Sequence, residues 1–351
     1  MFSLLNNLDF VYFKKFKYCS YAPKVPKCAP GTDGVSSLSD LLAEKLVRVT
    51  LWIVSTFILF TNSMVLWRRI FASTNQMSPL SLVITNLAAA DLLMGIYLLV
   101  IGSQDIRLRG VYKDFAHSWT SSWLCTATGM IAMVSSEASV LILLLISAER
   151  FLLIASPLKH HSSLSLKAAL GSVLSIWLFT VVVAIIPVVH WRHTVRFYGS
   201  NGLCFPLHID EPYFAGWQYS AFVFIGLNLA GLIGIGVMYT AVFLSIWKTR
   251  KATTITVPDS DFALRFFFIF LTNASCWIPI IVLKIMAFLH IKFTGELYGW
   301  LAVFVIPVNS AVNPILYTFT APNYRSMLQH FRLNCKKMMN QGIFFLNVSV
   351  E

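Results

Sequence analysis

Charge is what this chain has least of. Of its 351 residues only 12% are Asp, Glu, Lys or Arg, and only 15 are acidic. A water-soluble globule carries about 25% charged residues. Too little charge is present to cover a water-facing surface of this size. Cysteine is also sparse: six residues do not make a disulfide-dense scaffold, and their positions matter more than their number. Catalytic signatures are missing as well. There is no HExxH, no Cys/His cluster, no phosphate-binding glycine loop and no pair of carboxylates set in an aqueous cleft, so the chain reads as no enzyme. The opening "MFSLLNNLDFVYF" has neither a basic n-region nor a long apolar core, so it is not a secretory signal peptide. Either the first spanning helix serves as the targeting signal or the true start lies upstream.

What is present is apolar. Hydrophobic residues make up 57% of the chain, and the mean hydropathy is +0.71. A lipid bilayer is the natural solvent for this composition. The net charge of +12 would suit nucleic acid, but the placement of the basic residues fits a membrane protein and no nucleic-acid partner. A helix crosses the hydrocarbon core with about 20 largely apolar residues. Seven segments qualify: Val47–Ile70, Pro79–Ser103, Ser122–Leu153, Leu166–Val189, Phe214–Trp247, Phe262–Leu289 and Gly299–Phe319. The connections are too short to hold a soluble domain. The expected fold is an all-α membrane protein, a bundle of seven transmembrane helices.

Lys and Arg in the short loops set the orientation. With the N-terminus outside, twelve fall on the cytoplasmic side and eight on the outer side, the far N-terminus set aside. Cys19, Cys28, Cys125 and Cys204 then all lie outside, where disulfides persist.

Polar side chains at membrane depth are costly, so each is a functional candidate. Asp91 stands in the middle of the second segment, Asn62 in the first, Ser139 in the third, and Asn309, Ser310 and Asn313 in the seventh. Together they offer oxygen ligands for a small cation such as sodium. The plainer alternative is an ion-free polar network that holds the helices together. Glu149 and Arg150 close the third segment in "SAERF"; alone, the pair reads as a positive-inside anchor. "CWIP" places Pro279 inside the sixth segment beside Trp277, and "NPILY" places Pro314 inside the seventh, with Asn313 before it and Tyr317 after it. Each proline removes a backbone donor and bends its helix.

Asn62, "LAAAD", Cys125, "ERF", Trp177, "CWIP" and "NPILY" occur in this order on these helices. The chain so resembles a rhodopsin-type (class A) G-protein-coupled receptor over roughly residues 45–335. "TDGVSSLSDLL", "GSQDIRLRG", "FYGSNGLCFPLH", "RFFFIFLTNASCWIPI" and "PVNSAVNPILYT" narrow the likeness to the leucine-rich-repeat-containing subfamily, most like the relaxin receptors. The fifth segment has no mid-helix proline, as in that subfamily. Asn273 stands where much of the subfamily has an acid, and "ERF" replaces the commoner Asp-Arg-Tyr.

The resemblance implies a division into an extracellular stub (1–46), a receptor domain (47–320) and a cytoplasmic tail (321–351) that opens with a short amphipathic helix on the inner leaflet. It implies a peptide hormone of relaxin or insulin-like type captured by an ectodomain missing from this sequence. It also implies a heterotrimeric G-protein inside, of the stimulatory, cyclic AMP-linked type. The alternative is a truncated or constitutively active receptor-like protein that captures no hormone and pairs as a dimer with a longer receptor. The switch residues would be Glu149, Arg150, Asp259, Trp277, Pro279, Asn313, Pro314 and Tyr317; for Asp259 the alternative is a solvated loop carboxylate. Cys125 and Cys204 would tie the third helix to the second outer loop. Lys284 is expected near the outer end of the sixth helix, its amine snorkelling to water. Glu137 lies about 18 Å below Cys125 by helical rise, either as an activator-docking group or bonded to Ser135 or Ser136. Trp119, Phe205 and Pro206 are candidate contacts for an extracellular activator. Cys335 is a candidate for palmitoylation, the alternative being a plain cysteine.

"LLNNLDFVYFKKFKYC" reads like the last turn and strand of a leucine-rich repeat, which cannot bury its apolar face alone. The proline-rich collar after it, "YCSYAPKVPKCAPGTDG", reads as a hinge. There Cys19 pairs with Cys28, pairs with another chain or stays free.

Overall fold

The computed structural model describes residues 8–22, 25–71, 78–155, 164–191, 196–208, 213, 215–252, 260–291 and 296–316. Asp259, Tyr317, Cys335 and the amphipathic helix expected after the seventh segment lie outside them.

Among the described residues six helices are long and apolar enough to cross a membrane. The first span, α1 (Lys45–Phe71), lies along the second, α2 (Pro79–Arg107). Ser78 caps α2: its hydroxyl accepts from the Ser81 amide at 3.2 Å, and Pro79 fills the first turn, where a proline sacrifices no hydrogen bond. A short outer helix, α3 (Tyr112–Ser121), leads into the third span, α4 (Trp123–Ala155), the most buried of the six. The fourth span, α5 (Leu166–Trp191), packs on α4 and α2, and Trp177 donates to Asn86 of α2 at 3.0 Å.

The fifth span runs from α6 (Trp217–Ala221) through a π-helical turn (Phe222–Leu227) into α7 (Asn228–Ala252). The sixth is α8 (Ser260–Phe288), with Pro279 inside it. The seventh runs from α9 (Glu296–Trp300) through a second π-helical turn (Leu301–Val305) into α10 (Ile306–Pro314), shorter within the described residues than the other spans. α7 packs on α4, α8 on α7, and α10 returns to α1, α2 and α8. These contacts close the ring.

The sequence places the spans to within a few residues. At the end of α2 the helix runs four residues beyond the expected Ser103, to Arg107, through a stretch polar enough to read as loop. A helix end can stay polar when its charges are met, and Asp105 is met three ways. Its carboxylate forms an ion pair with Arg48, Nε to Oδ2 2.8 Å, and accepts from Arg109 Nη2 at 3.1 Å and from the Leu42 amide at 2.9 Å.

Leu42 belongs to the collar, which lies down on the outer end of the bundle. Strand β1 (Phe10–Tyr12) pairs in parallel with β2 (Lys27–Ala29). Between them a 3-10 turn, Phe16–Tyr21, carries Cys19, which is disulfide-bonded to Cys28. Leu41 and Leu42 are fully buried. The Tyr112 and Lys113 amides donate to the Ser39 and Leu38 carbonyls at 3.2 and 2.9 Å. The Lys113 ammonium donates to the Val25 carbonyl. Leu41 and Leu42 thus bury their side chains against the bundle.

Candidate functional site

Two polar constructions lie inside the bundle, one above the other. The lower one centres on Asp91, fully buried in α2. Ser139 of α4 donates to its Oδ1 at 3.0 Å, and Asn313 of α10 donates to its Oδ2 at 2.9 Å. Asn62 of α1 donates to the Ser310 carbonyl at 3.2 Å, and Asn309 donates to Asn273 Oδ1 at 3.4 Å. The six residues singled out for this network therefore stand together, and Asn273 joins them. Its amide accepts where a carboxylate would have added a second buried charge.

The oxygens do not all find donors. Among the described residues Asn62 Oδ1, Asn309 Oδ1 and Asn313 Oδ1 find no hydrogen-bond partner, and all three are buried. Unmet acceptors of this kind are costly unless water or an ion completes them. A cavity of about 10 Å³ touches Asn62, Asp91 and Asn313, room for roughly one water-sized species. One carboxylate and several neutral oxygens suit a hard monovalent cation, so the donor set fits sodium. Among the described residues no group of three His, Cys, Asp or Glu could hold a metal ion.

The upper construction is a tongue from the second outer loop. Cys204 is disulfide-bonded to Cys125 at the top of α4. Beyond it, Phe205 and Leu207 descend into the bundle and are buried. The fit to α4 is close enough to require glycine at position 129. A Cβ there would stand 2.2 Å from the Cys204 carbonyl oxygen and 2.5 Å from the Tyr198 ring. Gly129→Ala is therefore expected to cost ~1–3 kcal/mol by overpacking, measured as a lower thermal unfolding midpoint in detergent. Gly171→Ala, where no atom lies within 4 Å, should leave the midpoint unchanged.

The tongue corrects three sequence expectations. Lys284 does not snorkel. It is fully buried, and its ammonium donates to the Leu207 carbonyl, to the His208 carbonyl at 3.4 Å and to Ser220 Oγ at 3.0 Å. The loop brings acceptors down to the amine, so the amine need not reach water. Trp119 and Phe205 are not open to an outside activator. Trp119 is buried, with its indole N–H donating to the Gly202 carbonyl at 2.8 Å. Phe205 packs between Tyr97 and Phe224. Both are anchors of the loop. Burial, with Lys284 nearby, pushes the His208 imidazole down to about 3, so it is neutral inside the lid.

Glu137 bonds to neither Ser135 nor Ser136. Its Oε1 accepts from Asn228 Nδ2 at 3.0 Å, and the same amide donates to the Val223 carbonyl at 3.2 Å. Asn228 follows the π-helical turn, and its side chain meets a carbonyl five residues back. Such turns recur at functional positions. Asn228, Asp105 and Arg48 were not foreseen. Asn228 carried a readable signal, a polar residue at mid-span, the same mark that singled out Asn62.

At the cytoplasmic end, Arg150 Nε lies 3.2 Å from Glu149 Oε2. Trp277 is buried one turn below Ile281, two residues before Pro279.

Comparison with known proteins follows the same lines. Residues 61–317 match the family described as 7 transmembrane receptor (rhodopsin family). The chain is 40% identical to relaxin receptor 1 of Homo sapiens over 336 residues, covering 94% of this chain and 44% of that receptor. It is 39% identical to relaxin receptor 2 of Canis lupus familiaris over 334 residues, 94% of this chain and 45% of the relative. It is 37% identical over 323 residues to the G-protein coupled receptor GRL101 of Lymnaea stagnalis, 90% of this chain and 29% of the relative. The chain thus spans less than half the length of these relatives.

Proposed function

Because the chain belongs to the rhodopsin family of seven-transmembrane receptors, we propose that it passes an extracellular peptide-hormone signal across the plasma membrane to a heterotrimeric G-protein. It is a multi-pass plasma-membrane receptor and not an enzyme. The likeness to relaxin receptors supports a hormone of relaxin or insulin-like type and a stimulatory, cyclic AMP-linked G-protein.

The observation that carries the reading is the Asp91 network. One buried carboxylate ties α2 to α4 and α10 through Ser139 and Asn313. Any displacement of these helices must break or remake a hydrogen bond at a buried charge. Two packings of such a bundle are therefore discrete states that differential contacts can bias. Sodium held by Asp91, Ser139 and the oxygens of Asn62, Asn309, Ser310 and Asn313 would supply a positive charge that favours the packing in which they converge. The Trp277–Pro279 region provides the bend in α8, since Pro279 removes one donor from the helix. Arg150, held by Glu149 in this packing, is the group a G-protein would release. Asp259 and Tyr317 are assigned as its further partner and its brace. Residues 1–46 form the collar, 47–320 the transmitting bundle and 321–351 the cytoplasmic tail, with Cys335 as a lipidation site against the bilayer.

The test is basal cyclic AMP in cells expressing the chain, at matched surface level. Wild type should exceed empty vector, and Arg150→Ala should fall to the vector level. Equal cyclic AMP for wild type, Arg150→Ala and vector, with both proteins at the surface, would remove stimulatory coupling.

A further inference from the structure

We propose that the cleft between the collar and the two outer loops is a binding site for an acidic peptide segment of an extracellular partner. The cleft has a volume of about 510 Å³, within the range of sites that enclose a small ligand or a few side chains. It has three walls. The first is the 3-10 turn Phe16–Tyr21, the second α3, the third the stretch Arg196–Gly202 of the second outer loop. Each is fixed to the bundle or to itself: the Cys19–Cys28 bond closes the first, the Leu38–Lys113 backbone bond holds the second, and the Cys125–Cys204 bond follows the third.

The charges on these walls are one-sided. Lys17 comes from the first wall, Lys113 from the second and Arg196 from the third, while the His117 imidazole on the second wall adds a hydrogen-bonding nitrogen. The single carboxylate lining the cleft, Asp33, is already engaged, its Oδ1 accepting from the Val35 and Ser36 amides at 3.0 and 2.7 Å. Arg196 stands exposed at the rim with Nη2 3.3 Å from His117 Nε2. Burial, with this guanidinium beside it, lowers the basicity of His117. An incoming carboxylate would meet the planar fork of Arg196, which pairs with such groups in bidentate fashion. On the same wall, Ser200 Oγ is buried without a hydrogen-bond partner among the described residues.

The aromatic rim favours a peptide over a sulfated sugar chain. Tyr21 is half exposed and packs edge-on to His117 with ring centroids 5.1 Å apart, and Tyr18 stacks on Tyr21. Tyrosine and arginine together are the side chains protein partners favour at their contacts. A polyanionic sugar would instead call for an extended basic stripe, whereas these basic residues gather around one cleft. The site faces outward in the receptor orientation, but its occupation does not depend on coupling to a G-protein.

The experiment uses the full chain in lipid nanodiscs and a fluorescein-labelled hexaglutamate peptide, followed by anisotropy. Saturable binding that weakens with salt is expected, with no binding of hexalysine. Arg196→Glu and Lys17→Glu should each weaken it by about tenfold or more, since each puts a like charge against the peptide. Lys27→Glu makes the same change of charge on β2, outside the cleft lining, and should alter affinity by less than about twofold. The proposal is overturned by absence of saturable binding, by an equal loss in Lys27→Glu, or by tighter binding of a heparin hexasaccharide that shows the same variant dependence. Because binding is read directly, a silent cyclic AMP assay leaves this result standing, and the reverse also holds.

Discussion

Asp105→Ala is expected to destabilise the folded chain by ~3–5 kcal/mol, the cost of stripping one partner from a buried ion pair. The reason lies in what Asp105 holds. Its side chain is fully buried, and Arg48, which reaches it from α1, has only 16% of its side chain exposed. With alanine at 105, the Arg48 guanidinium keeps its bond to the Leu42 carbonyl at 2.7 Å and a looser contact with Asp40 at 3.6 Å, but loses its one close anion. The Leu42 amide loses its acceptor too, which adds ~1–3 kcal/mol for an unmet buried donor. The companion Asp105→Asn keeps an oxygen for Leu42 and should fall between wild type and alanine. Adding Arg48→Met to Asp105→Ala should recover part of the loss, because no buried charge is then left alone. Thermal unfolding of the purified receptor in detergent gives all four values. A midpoint for Asp105→Ala equal to that of wild type would mean that the latch is solvated and holds nothing.

This latch also shows where sequence reading stops. The spans were legible because twenty apolar residues in a row leave few alternatives. The Asp91 network was legible because each polar residue at membrane depth is conspicuous on its own. Asp105 was not: in "GSQDIRLRG" it sits among polar neighbours and reads as a loop residue. Only the collar folding back, with Leu42 and Arg48 converging on it, turns the loop into the last turn of a helix. The second outer loop misled the reading for the same reason. Cys204 and His208 have φ values of 57° and 48°, left-handed turns that no periodicity announces in residues of this kind. Those turns drive Phe205 and Leu207 inward and make anchors of residues expected to face an activator. Asn228 was conspicuous as a polar residue at mid-span, but its partners were hidden by a different cause. A π-helical turn shifts the phase of the fifth span, so a helical projection at 3.6 residues per turn misplaces every side chain below it.

Lys284→Met is expected to free the tongue while leaving the bundle folded. Methionine matches the length of lysine and packs adaptably, so no large void is created. Two opposed effects decide the outcome. Removing a buried ammonium relieves its desolvation, worth several kcal/mol. Removing its donors leaves the Leu207 and His208 carbonyls unmet in an apolar setting, ~1–3 kcal/mol each. For the bundle as a whole these nearly cancel, so the global unfolding midpoint should move little. For the tongue they do not. Lys284 is the bolt between the loop and α8, and Ser220, which it also holds, accepts from it while donating to the Pro206 carbonyl at 2.9 Å. Without it the descending segment keeps the Cys204 disulfide to Cys125 of α4, Tyr97 of α2, whose hydroxyl donates to the Leu203 carbonyl at 3.1 Å, and Trp119 of α3 on Gly202. The α8 side is released. Amide hydrogen exchange over residues 203–208 should therefore speed up by about tenfold or more, since local opening costs less by at least the energy of one lost bond. Ile285→Met, a change of similar size on the lipid-facing side of the same helix, should leave exchange as in wild type. If the two variants protect the loop equally, the tongue is held without Lys284, by its remaining anchors on α2, α3 and α4. The sixth span would then be able to move without disturbing the lid above it.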